Sequence, residues 1–228
     1  MDISGASIDP RASNRRAILI GALLVPITFL LAIPASHFGP VSWHMAIHIG
    51  GMNVLVPLAA TVLAQRLTKQ ARAWSSAPML WAAVVAQIVV LWAIHSPLLH
   101  HALHAVPAAW LAVHALLFLV AFRFWLTIAN TTYRWQAIFA LLLSGKFACL
   151  LGVLLIFAPR PLFGLATHGS HPHPATDIAL ADQHLAGLLM IAACPLSYVL
   201  TALVLAVQAI NHLESASTLS LSGASAGR

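Results

Sequence analysis

Residues 43–64 read WHMAIHIGGMNVLVPLAATVLA, 22 residues without a formal charge. An α-helix rises about 1.5 Å per residue, so this stretch matches a hydrocarbon core about 30 Å thick. It reads as a membrane-crossing helix with two histidines near one end. Five further stretches have the same character: Ala17–Ile33, Ala77–Ile94, Pro107–Ala129, Trp135–Ala158 and Leu185–Ile210. The first is the shortest and holds Pro26. The expected fold is therefore all-α, a polytopic bundle of about six transmembrane helices.

Composition supports this reading. Of 228 residues, 61% are hydrophobic and only 7% charged, too few charges to cover a soluble domain of that size. The expected organisation is a cytoplasmic N-terminal segment at 1–16, a bundle at 17–211 and a disordered Ser/Ala/Gly-rich cytoplasmic tail at 212–228. No small-residue cleavage site follows the first stretch convincingly, so it is expected to remain as a helix.

Basic residues orient the bundle. Arg11, Arg15 and Arg16 precede the first span, Arg66, Lys69 and Arg72 fill the second connection, and Arg123 and Arg134 flank the fourth. The alternate connections hold only Arg160. The positive-inside rule then places both termini in the cytoplasm, in a bacterial inner (plasma) membrane. The net charge of +6 is a topology signal, since basic residues at the inner leaflet meet anionic lipid. Nothing interleaves aromatic and basic residues as a nucleic-acid surface would.

That orientation sorts the histidines. Twelve of thirteen fall on the outer side: His37, His44, His48, His95, His100, His101, His104, His114, His168, His171, His173 and His184; only His212 lies inside. Imidazole is a metal ligand and proton carrier that is costly in lipid, so a one-sided set at helix mouths suggests a metal-handling surface.

His44, His48 and Met52 stand at i, i+4 and i+8, on one helix face. Imidazole and thioether together suit Cu(I). A bland alternative is interhelical hydrogen bonding by the histidines around a core Met. Gly50 and Gly51 permit a close neighbouring helix. His95 ends the third span before Pro97, at the level of His44, with His100, His101 and His104 in the turn beyond. His114 lies two turns into the fourth span, where a hydrogen bond to a backbone carbonyl competes with ligation. Asp182 precedes His184 at the last span and can cap that helix or orient the imidazole. The candidate metal residues are thus His44, His48, Met52, His95, His114, Asp182 and His184.

Lys146 stands mid-span, expected to face the bundle interior as a structural or anion-binding group. Cys149 and Cys194 lie in the last two spans without a CxxC spacing and read as small buried hydrophobes. No phosphate loop, nucleophile elbow or acidic pair suited to hydrolysis is present.

Four elements together resemble the CtaG-type cytochrome c oxidase assembly factor family over roughly Trp43 to Leu200. Asp182-Gln183-His184-Leu185-Ala186-Gly187 looks like the family's Asp-Gln-x-x-Ala-Gly, and His44-Met45-Ala46-Ile47-His48 looks like its His-Met-x-x-His. Trp92 to Pro97 is similar to a Trp-His-x-Pro segment, with His95 displaced from the Trp. His114 to Phe118, followed by Phe124-Trp125, is similar to a His-Leu-x-Phe run ending in aromatics. The family often has a further His four residues before His114 and an acid just before it; here those positions are Trp110 and Val113.

The resemblance implies a membrane-embedded oxidase assembly factor that assists copper insertion and has no turnover chemistry of its own, hence not an enzyme, with copper bound transiently and oxidase subunits or copper chaperones as partners in the lipid bilayer. The alternative is a b-type cytochrome with bis-His haem ligation, for instance by His48 and His114 or by His44 and His184. A transporter ranks third, because the inner halves of the spans are almost wholly apolar. Oligomeric state is not legible.

Overall fold

The computed structural model describes residues 38–66, 76–163 and 174–226. The first apolar stretch, His37, Lys69, Arg72 and the loop with His168, His171 and His173 lie outside the described residues, as do the side chains of His101 and His104. Every regular element described is helical. Helix α1 (Pro40–Gly50) passes through a π-helical turn (Gly51–Leu55) into α2 (Val56–Arg66). Then come α3 (Ala77–Ile94), α4 (Pro97–His104), α5 (Pro107–Asn130), α6 (Arg134–Phe157) and α7 (Pro174–Ala226). Five segments have the length and apolarity to cross a membrane: Pro40–Arg66, Ala77–Ile94, Pro107–Asn130, Arg134–Phe157 and Thr176–Leu213.

Proline sets several boundaries. Helices α1, α3, α4 and α5 each carry Pro in the first two positions, where a missing N–H costs nothing. Pro97 holds Ser96 extended and so separates α3 from α4. The π-helical turn ends two residues before Pro57, which cannot donate to the carbonyl four residues back. The Val56 N–H bonds instead to the Gly51 carbonyl, and the wider turn lets the span continue.

Helices α6 and α7 pack backbone to backbone. A Cβ added at Gly152 would meet the Gly187 carbonyl oxygen at 2.9 Å, and one at Gly187 would meet that of Gly152 at 2.7 Å. In a membrane such contact gains dispersion energy that no hydrophobic force between helices supplies.

The interior has two apolar layers. One, beneath the histidine end, holds Met45, Ile49, Met52, Leu91, Leu117, Leu151 and Met190. The other, toward the basic end, holds Leu80, Phe124, Trp125, Leu141 and Tyr198. Within it Gln87 Nε2 donates to Tyr198 Oη at 2.5 Å, tying α3 to α7. At the far end Arg134 donates to the Gln208 carbonyl at 3.0 Å.

Two expectations change. Helix α7 continues past residue 212 to Ala226, where a disordered tail was expected. No Pro or Gly interrupts 213–222, so the established helix extends. Lys146 does not face the bundle interior; it is exposed. The inner side of α6 is occupied by Ser144, Gly145 and Ala148, so helical rotation turns position 146 outward.

Candidate metal centre

Three histidines meet at one end of the bundle. His44 and His48 come from successive turns of α1, and His114 from the second turn of α5. One nitrogen from each lies within 4.8 Å of the other two. The ring centroids are 4.3 Å apart for His44 and His48, 5.2 Å for His44 and His114, and 5.1 Å for His48 and His114. His95 stands just outside this trio, 5.7 Å from His48 and 6.5 Å from His44 by ring centroid.

The hydrogen bonds fix which nitrogens can ligate. His114 Nδ1 lies 2.7 Å from the Trp110 carbonyl, and His95 Nδ1 lies 2.7 Å from the Leu91 carbonyl. A carbonyl only accepts, so each Nδ1 carries the proton and each Nε2 keeps its lone pair. Both Nε2 atoms are buried without a hydrogen-bond partner, as is His48 Nδ1. Leaving a buried polar atom unpaired costs about 1–3 kcal/mol. Orphaned imidazole nitrogens gathered in one place are the arrangement a metal ion would satisfy. Ligands about 2 Å from one ion stand ~3.5 Å apart, so small side-chain rotations close the trio.

Aromatic walls hold the rings. Phe118 stacks on His48 with centroids 6.0 Å apart and planes within 9°. Trp110 lies 3.9 Å from His114 and 5.4 Å from His44. Gly51 permits this packing, because a Cβ there would collide with the Phe118 ring, whereas Gly50 faces nothing within 4 Å. Only one of the paired glycines is thus needed for close approach.

Two cavities adjoin the trio. An outer one of about 480 Å³ is lined by His44, His95, His100, Trp110 and Phe163 among others. An inner one of about 30 Å³ lies beneath, lined by His48, His95, Met45, Met52, Met190 and Cys194 among others. Met52 and His48 thus line the same cavity. Cys194 is buried and Cys149 half-buried, both as free thiols.

The remaining candidates behave differently. His184 is half-buried and stands outside the trio. Asp182 does not orient it. Its Oδ1 accepts from the Gly39 and Ser42 N–H groups at 3.0 and 3.1 Å and from the Ser42 hydroxyl; its Oδ2 accepts from the Val41 N–H at 2.8 Å. The carboxylate caps α1 from another helix, meeting donors that α1 cannot satisfy itself. Gln183, quoted from the sequence as part of the family motif but given no role there, performs the matching task at the end of α6. It accepts from the Leu162 N–H at 2.6 Å and donates to the Leu155 carbonyl at 3.0 Å. The Asp-Gln pair is thus a structural clasp that sets where α1 begins, and so where His44 and His48 stand. His100 packs on Trp110 and Phe163 at the outer cavity.

The family model described as cytochrome c oxidase caa3 assembly factor (Caa3_CtaG) matches residues 16–212. No curated protein and no solved structure matches the chain.

Proposed function

The chain belongs to the cytochrome c oxidase caa3 assembly factor family, and from that premise we propose that it holds and passes copper at the outer face of a bacterial plasma membrane. The observation that carries the proposal is the convergence of His44, His48 and His114, in which His48 Nδ1 and His114 Nε2 are buried without a hydrogen-bond partner. Neutral imidazoles bind Cu(I) without proton release, and a sparse set releases it to a better site. His95 and Met52 line the inner cavity and complete the candidate set; His184 and Asp182 are not proposed as ligands. The recipients are oxidase subunits, directly or through a copper chaperone, and no turnover chemistry is assigned. Both termini are placed in the cytoplasm by the positive-inside rule.

A bis-His haem is served less well. Axial ligands must flank an open macrocycle plane, whereas each of the three imidazoles crowds both others, with centroids 4.3–5.2 Å apart. A bare ion suits such crowding.

The test is His44→Ala combined with His48→Ala. Copper bound to detergent-purified protein should fall, and oxidase copper in cells should fall with it, at matched membrane levels. Normal oxidase copper in that variant would remove the copper role. A Soret band in purified protein would favour haem instead.

A further inference from the structure

Lys146 lies at the middle of α6, 12 residues after Arg134 (146 − 134) and 11 before Phe157 (157 − 146). At 1.5 Å per residue these are ~18 and ~16 Å, longer than a lysine side chain, so the ammonium does not reach either interface. The residue is exposed, and its helix face is otherwise apolar: Phe139, Leu142, Leu143, Leu150 and Val153 are exposed around it. No ion pair joins it to any described residue.

A cation at this depth is costly unless a counter-charge meets it there, and intramembrane charges mark functional contacts. The chain itself cannot supply one. Its five acidic residues are Asp2, Asp9, Asp177, Asp182 and Glu214. None falls at mid-span, and Asp182 is committed to the start of α1. The stretch at 17–33 carries no Asp or Glu, so packing it on this face would leave the charge uncompensated. A second copy offers the same five acids and no better match.

We propose that the Lys146 face of α6 docks a transmembrane helix of an oxidase subunit that carries a carboxylate at mid-membrane depth. This rests on the assembly-factor reading but not on copper. Apolar packing around Lys146 supplies contact area, and the ion pair in low dielectric supplies register and selectivity. Lysine exposed at this depth disfavours lipid as the resting neighbour and favours a client that brings the missing charge.

The experiment places a photo-crosslinking residue at Leu150 in the full-length chain in native membranes. Three backgrounds are compared: Lys146, Lys146→Met and Lys146→Arg. The expected result is capture of an oxidase subunit with Lys146 and with Arg, and at least a tenfold loss with Met at matched protein level. Mass spectrometry should place the crosslink on a helix bearing Asp or Glu, and its change to Asn or Gln should reproduce the loss. Copper bound by the purified Met variant should be unchanged, which separates docking from metal binding and from misfolding. Equal capture by the Met variant overturns the proposal. So does a captured helix without a carboxylate, or crosslinks only to residues 17–33, to a second copy or to lipid. If no oxidase subunit associates with the unaltered chain by any route, the assembly role itself fails, a distinct result.

Discussion

Asp182 holds Ser42 twice, accepting from its backbone N–H at 3.1 Å and from its hydroxyl, although the two residues are 140 positions apart. Ser42 immediately precedes the turn that carries His44. The clasp therefore couples the packing of α7 to the placement of the candidate ligands.

Asp182→Asn is expected to lower stability, because an amide replaces an acceptor-only group with one that must present N–H to facing donors. The cost is about 1–3 kcal/mol. Thermal unfolding in detergent should show a lower Tm, while copper stoichiometry well below that temperature stays near normal. Asp182→Ala should be worse. Unchanged Tm for both would show that the clasp contributes nothing measurable.

His114→Ala and His184→Ala should separate cleanly. The first removes a member of the trio and is expected to weaken copper binding about tenfold or more, which is about 1.4 kcal/mol or more. The second removes a half-buried imidazole outside the trio and should leave affinity within about twofold. Titration of purified variants against a Cu(I) chelator checks both. Reversed effects would move the centre to α7.

Gly50→Ala and Gly51→Ala give a test in adjacent residues. Position 50 has open space around it, so Ala should be neutral or slightly stabilising, by about 0.5–1 kcal/mol at most. At position 51 the new methyl meets the Phe118 ring, which must move, and with it the wall against His48. Overpacking of this kind costs about 1–3 kcal/mol. Detergent stability and copper affinity should both drop for Gly51→Ala alone.

Trp110→His probes the departure from the family's usual pattern. The indole at this position contacts the rings of His114 and His44. An imidazole there would offer a nitrogen at the same mouth. The expected outcome is tighter copper retention in the chelator competition, by about tenfold. Oxidase copper would then fall if release is limiting. Weaker retention would mean that the Trp wall positions the trio and that a fourth imidazole does not compensate.

The sequence by itself determined the five described helices long and apolar enough to cross a membrane, since length, apolarity and boundary prolines are local properties. The third span, Ala77–Ile94, has the same limits in sequence and structure. It also determined that His44 and His48 share a face, because four residues make about one helical turn. Which imidazoles meet was decided only by tertiary structure. His114 joined the trio because α5 packs against the π-helical turn below α1, and His184 stayed out because its neighbours Asp182 and Gln183 are bonded to the ends of α1 and α6. The direction of Lys146 was likewise undetermined by its position along the chain. It follows from which face of α6 the contact between Gly152 and Gly187 turns inward. Periodicity fixes the angle between residues on one helix, whereas the rotation of each helix in the bundle depends on partners distant in sequence.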